Sequence, residues 1–215
     1  MTHEIIQKFS AAVTAAAILG SAFAVMPMNA GAADITTQDF RLTDITMTDA
    51  YSTNAFEKEM DYLLAFDTNR LLAGFRENAG LNTFGAKRYG GWENTKIAGH
   101  CVGHYLSAIA QAYQNPNLSA ADKAELEKRM KTLCDGLLEC QKNSKGKPGF
   151  VWAAQPNSGT GVETQFDMVE QGKTNIINEA WVPWYTMHKL IQGLVDVYNL
   201  TGKSTAKDIA SSLGD

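Results

Sequence analysis

Hydrophobic residues recur along this chain at helical spacing and almost nowhere alternate with polar ones. Phe56, Met60, Leu63 and Leu64 fall on one side of a helix and predict an element from Ser52 to Thr68, opened by Ser52 or Asn54 as its cap. Leu71, Leu72 and Phe75 carry the apolar character on to Gly80. Residues 81–94 break the pattern, being rich in Gly and Asn around Tyr89 and Trp92, and read as a loop. A second helix is expected from about Thr95 to Gln114, stopping at Asn115-Pro116 because proline disfavours helical backbone at the preceding residue. Gly99, Gly103, Ala108, Ala110 and Ala112 make it thin. Glycine lowers helix propensity, so close packing against a neighbour is expected to hold it. Ser119 followed by Asp122 opens a third helix in a capping arrangement, and Leu126, Met130, Leu133 and Leu137 form its apolar stripe as far as Gln141. The segment 147–180 is long and irregular, the kind of loop that often carries function. Pro183 opens a fourth helix at a favourable first-turn position, with Met187, Ile191, Leu194 and Tyr198 as its core face and Gly202 as its C-terminal cap. A fifth begins at Ser204, with Ala206, Ile209, Ala210 and Leu213 periodic. The class is all-α, built of successive helical hairpins with long loops.

The N-terminus follows a different pattern. No charged residue occurs from Phe9 to Met28, Lys8 precedes the run, and Ala30-Gly31-Ala32 follows it as a small-x-small site. These features predict a secretory signal peptide over residues 1–32, cut near Ala32 or Ala33, and a secreted or cell-surface protein. No second apolar run of spanning length follows, so no membrane association is expected after cleavage. Residues 33–50 read as an extended lead-in and 51–215 as the helical domain. The last helix stops at Asp215 with no capping glycine followed by a new loop, the pattern expected of a truncated domain.

At 215 residues, 45% hydrophobic and 20% charged, the chain has the composition of a globular protein with a real core. Its net charge of −4 leaves no basic footprint, which argues against nucleic acid as a partner. Cys134 and Cys140 lie six apart on one helix, about 9 Å along its axis and beyond disulfide reach. All three cysteines, with Cys101, read as buried small hydrophobes.

His100 and His104 are four apart and point to one side of the second helix. Two imidazoles at that spacing suit a divalent ion, but Cys101 stands where the metalloprotease motif has glutamate, and no metal is assigned to them. They read as pocket lining for a sugar hydroxyl, with helix-packing histidines as the alternative. His188 follows Trp184 by four and Tyr185 by three, so the three share a face. Aromatic faces beside a polar imidazole suit carbohydrate, with ring faces against sugar C–H groups and polar neighbours on the hydroxyls; an aromatic core patch is the other reading. Trp92-Glu93 and Trp152 fall in loops, where large aromatics have less reason to pack. The chain has no G-x-S-x-G elbow, phosphate-binding glycine loop or Cys-x-x-Cys pair.

Four segments together resemble glycoside hydrolase family 127 and the related family 146. They are Asp67-Thr68-Asn69-Arg70-Leu71-Leu72, Tyr89-Gly90-Gly91-Trp92-Glu93, the paired Gly99-His100 and Gly103-His104 run through Ala108, and Trp181-Val182-Pro183-Trp184-Tyr185-Thr186-Met187-His188-Lys189. The resemblance covers about residues 41–215 and implies the N-terminal portion of an (α/α)6 barrel. It also implies a retaining exo-β-L-arabinofuranosidase acting on arabinofuranose-containing, plant-type glycans. The family's nucleophile is a cysteine in a zinc site of cysteines and a glutamate, with a further glutamate as acid/base. Zinc lowers the thiol pKa, which explains a thiolate nucleophile. The resemblance places these groups beyond Asp215, so no catalytic residue and no zinc is assigned to this chain, which by itself is expected to be inactive. The sugar-contacting roles that carry over fall on His188, then His104, and more loosely on His100, Trp92 and Glu93, with Trp184 and Tyr185 beside them. The alternatives are a non-catalytic carbohydrate-binding or structural helical domain, and a zinc enzyme using His100, His104 and His188 directly.

Overall fold

The computed structural model describes residues 39–154, 166–167, 170–173 and 182–215. The expected signal segment, part of the lead-in, much of the segment 147–180 and Trp181 lie outside the described residues. Six α-helices are described: α1 (Ala50–Ala65), α2 (Thr68–Ala79), α3 (His100–Tyr113), α4 (Ala120–Lys142), α5 (Pro183–Thr201) and α6 (Ser204–Gly214). Short 3₁₀ turns occupy Leu42–Asp44 and Gly91–Asn94, and no strand occurs among the described residues. All six helices belong to the unit Phe40–Asp215.

The helix starts follow from local chemistry. Ser119 accepts a hydrogen bond from the Asp122 backbone at 3.1 Å, and its hydroxyl donates to the Asp122 carboxylate at 2.7 Å, which seals the first turn of α4. Pro183 takes the first turn of α5, and Gly202, at φ +71°, ends it in the left-handed conformation. Two expectations about the first helix need correction, and the helix expected from Thr95 starts only at His100, after the Gly99 cap. The first helix is capped by Asp49, which accepts from Ser52 N at 2.8 Å, and not by Ser52 or Asn54. It also stops at Ala65 instead of running to Thr68, because Asp67 accepts from the backbones of Asn69 and Arg70 and starts α2 as a new element.

Arg129 of α4 stabilises that break. Its guanidinium donates to the carbonyls of Leu64 at 2.8 Å and Phe66 at 2.6 Å, and to the Tyr105 hydroxyl at 3.0 Å. Tyr105 in turn donates to Leu63 O. The carbonyls orphaned at the end of α1 are thus taken up by partners from α3 and α4.

The helices pack in two rows. The odd-numbered helices contact one another, α1 against α3 and α3 against α5; so do the even-numbered ones, α2 against α4 and α4 against α6. Contacts of α2 and α4 with α3, and of α5 with α6, join the rows. This alternation is the layering of part of an (α/α)6 barrel. Leu72, Phe75, Leu106, Ile109, Leu126, Met130, Leu133, Leu137, Leu190, Leu194 and Ile209 are fully buried between the rows. Cys134 and Cys140 join this core, whereas Cys101 is only half-buried.

The most intimate contact is between α3 and α5, which run parallel. His104 meets Tyr185 near their N-terminal ends, Ser107 donates to Asp196 at 2.6 Å further along, and Gln114 donates to Leu200 O at the far end. At the crossing there is no room for a side chain. A Cβ on Gly103 would overlap the Lys189 carbonyl, and one on Gly193 would overlap the Gly103 carbonyl oxygen. The crossing also shifts the buried face of α5. Leu190, Gly193 and Val197 are buried with Met187 and Leu194, while Ile191 and Tyr198, expected in the core face, are only partly covered.

Gly103→Ala is therefore expected to force α3 from α5 and cost about 3 kcal/mol or more, a fall of roughly 10 °C in Tm. Gly90 has φ −73° and open space around it, so Gly90→Ala is the neutral control. Thermal melts of both variants check this, and a Gly103→Ala protein melting with the parent would show that the crossing does not limit stability.

Candidate functional site

The parallel pairing of α3 and α5 brings their N-terminal turns together, and most of the candidate residues collect there. His104 Nε2 lies 3.2 Å from the Tyr185 hydroxyl, and both side chains are exposed. The rings of Tyr185 and His104 lie at 6.1 and 5.9 Å from that of His100, and Trp92 approaches His100 at 6.0 Å from the preceding 3₁₀ turn. Lys189, which the sequence reading did not nominate, places its ammonium 5.2 Å from the Tyr185 ring. Its place directly after His188 was the available signal. His188 is exposed one turn beyond Trp184 and Tyr185.

Three candidates stand apart from this exposed cluster. Trp184 turns to Phe166, edge to face at 4.6 Å, in an aromatic row that continues through Trp152 to Phe150. Trp152 itself is buried and does not reach the surface as its loop position suggested. Glu93 is also buried, and its carboxylate faces inward. Oε2 accepts from Gly99 N at 2.9 Å, and Oε1 accepts from Cys101 N at 3.2 Å and lies 2.9 Å from His100 Nδ1. His100 is buried beside it and also shares Nδ1 with the Ile97 carbonyl at 2.9 Å.

These contacts set the charges. Burial works against the Glu93 carboxylate, but the His100 contact and the two backbone N–H groups outweigh it and hold its pKa below the usual glutamate range. The Glu93 hydrogen bond raises the pKa of His100, against a smaller opposing effect of burial. His104 is pushed the other way, by burial first and then by the positive charges of Lys189, His100 and His188. A neutral His104 can accept the Tyr185 proton at Nε2, which leaves two polar groups fixed in mutual orientation at an open surface.

The family model for the β-L-arabinofuranosidase catalytic domain of glycoside hydrolase family 127 matches residues 44–215. The chain belongs to this family. No curated protein matches it. Within a family 127 domain, the exposed His104, Tyr185, His188 and Trp92 stand at the end of the helix pair, where side chains from successive loops and helices converge.

A zinc–thiolate centre, as the family resemblance implies, needs donor groups free to bind the ion. Glu93, His100 and Cys101 have ligand atoms within 4.8 Å of one another. Their chemistry does not fit that centre, because both carboxylate oxygens already hold backbone N–H groups and His100 Nδ1 faces the same carboxylate. Burial, together with Glu93, pushes the Cys101 thiol up to about 12. Burial alone is the main cause for Cys134, up to about 12, and Cys140, up to about 11. Without a bound metal to lower these values, none of the three thiols ionises at neutral pH.

The Glu93–His100 pair predicts a pH window for stability. Glu93 contributes above its unfolded value near 4.5 and loses that contribution as pH falls through its lowered folded value. His100 contributes fully below 6.5 and loses it as pH rises through its raised folded value. The stability difference between the parent and His100→Gln is expected to be largest between these pH values and to shrink on both sides. Urea denaturation across pH checks this; a difference constant with pH would assign His100 to packing alone.

Proposed function

We propose that this chain forms the sugar-contacting wall of an exported, retaining exo-β-L-arabinofuranosidase that acts on arabinofuranose-containing glycans. The observation that carries the reading is the family match over 44–215, taken with the exposed His104–Tyr185 pair beside His188. Hydroxyl-rich furanose rings need hydrogen-bonding groups in fixed orientation and an aromatic face for their C–H surface. His104, Tyr185 and His188 offer the first, and Trp92, held over His100, offers the second. Exo action fits a pocket in which a terminal sugar is enclosed from several sides.

In this reading the described residues bind and orient, and they do not break the glycosidic bond. Retaining hydrolysis needs a nucleophile and a proton donor flanking the bond. Without a bound metal the three thiols stay protonated, and Glu93 is held by two backbone N–H groups and His100. We assign the nucleophile and the acid/base, with the zinc that would lower a thiol pKa, to other parts of the complete catalytic domain.

Two measurements with a chromogenic β-L-arabinofuranoside test this. The complete enzyme is expected to release arabinose, and residues 33–215 alone to release none above background. In the complete enzyme, His188→Ala is expected to lower kcat/KM by about 100-fold or more with Tm nearly unchanged, since a hydrogen bond to substrate acts on transition-state binding and not on folding. Turnover by residues 33–215 equal to that of the complete enzyme would show the chemistry to be misplaced. A fall in Tm proportional to the activity loss would make His188 a packing residue.

A further inference from the structure

The buried carboxylate of Glu93 has no role in the wall just described, yet the His104–Tyr185 pair and Trp92 lead back to it through His100. Its position is unusual for a helix cap. The N-cap residue of α3 is Gly99, at φ +105°, and it has no side chain to offer the first turn. None fits there: a Cβ would stand 3.0 Å from the Phe75 ring and 3.1 Å from the Ala153 methyl group. The acceptor comes instead from six residues earlier, where Glu93 takes the backbone N–H groups of Gly99 and Cys101. The same carboxylate holds His100 Nδ1, so one side chain ties together the Trp92 turn, the start of α3 and the His100 ring.

We propose that Glu93 is a positioning residue that acts through His100 to orient the His104–Tyr185 pair and Trp92. The proposal rests on the reading of these residues as the sugar-contacting wall. The geometry is that of a hub. A carboxylate on Nδ1 decides which edge of the imidazole faces which way and directs Nε2 toward Cys101 Sγ, 3.6 Å away. The His100 ring then stands perpendicular to His104 and touches both Tyr185 and Trp92. A rotated His100 would displace all three.

Charge follows the same path. Glu93 faces the cluster from the 3₁₀ turn, His100, Cys101 and His104 from α3, and Tyr185, His188 and Lys189 from α5. Among these described groups Glu93 is the one carboxylate. It favours the protonated form of His100, and a charge there disfavours a second charge on His104, whose neutral form can accept from Tyr185.

The test is a histidine-resolved NMR pH titration of the full chain, comparing the parent with E93Q, E93D and H100Q. E93Q keeps one acceptor oxygen for a backbone N–H group but loses the charge and the second acceptor. It is expected to lower the His100 midpoint by about one pH unit or more, and E93D to restore part of that shift. H100Q is expected to raise the His104 midpoint, which covers the case of an E93Q protein that does not fold. Unchanged His100 and His104 midpoints in the variants, even with a lowered Tm, would overturn the proposal and leave Glu93 a structural cap. In the complete enzyme E93Q is expected to reduce kcat/KM by about 10- to 100-fold, the range for a small misplacement of binding groups. The titration needs no turnover. If the midpoints shift while no arabinofuranoside is cleaved, the assignment of substrate fails and the positioning role stands.

Discussion

Where α3 crosses α5 the two helices meet backbone to backbone, with Gly103 against the Lys189 carbonyl and Gly193 against that of Gly103. Helices usually pack through side chains with axes 8–10 Å apart, so a contact made through two glycines is a closer approach than most. That closeness has consequences along the whole pair. It holds the two helices parallel and in one register, with Ser107 on Asp196 and Gln114 on the Leu200 carbonyl. It also lets a histidine and a tyrosine from helices far apart in sequence share a hydrogen bond. With ordinary side chains at 103 and 193 the same residues would be present, but not within reach of one another.

The helix ends show a second regularity. α1 finishes on the guanidinium of Arg129, and α3 starts on the carboxylate of Glu93. In both places a charged side chain from another element satisfies backbone groups that a local cap would otherwise serve. Such long-range caps connect rows and loops that have little other contact. A charge-assisted hydrogen bond is stronger than a neutral one, and its loss from a buried site leaves groups unpaired, so these two residues hold more structure than their size suggests. At α3 the device also has an electrostatic effect, because the carboxylate that caps the helix sets the charge on the neighbouring imidazole.

Much of this protein was legible in its sequence. The period of Leu126, Met130, Leu133 and Leu137, the Ser119 cap, Pro183 at a first turn and Gly202 past a last one are local signals, each with a local cause. They identify helices and their class, since helix formation is decided largely within a few turns. The spacing of His100 with His104, and of Tyr185 with His188, likewise places each pair on a helical face without knowledge of the neighbours. Where the local signal was read too broadly, as in running α1 through Asp67, the missed evidence was still local: an aspartate that caps the next helix.

Other features depended on tertiary structure. Trp184 and Tyr185 are adjacent, yet one joins an aromatic row with Phe166 and the other a histidine cluster, a division that depends on what packs at each side of α5. Trp152 is buried and Trp92 exposed, although both are loop tryptophans. Glu93, loosely expected to contact sugar, is a buried anchor for a helix whose N-cap lies six residues on. Each outcome is set by contacts between residues distant in the chain, and periodicity carries no information about those. Sequence by itself determined which faces are apolar and where helices begin; the glycine crossing decided which faces meet, and so which groups share a site.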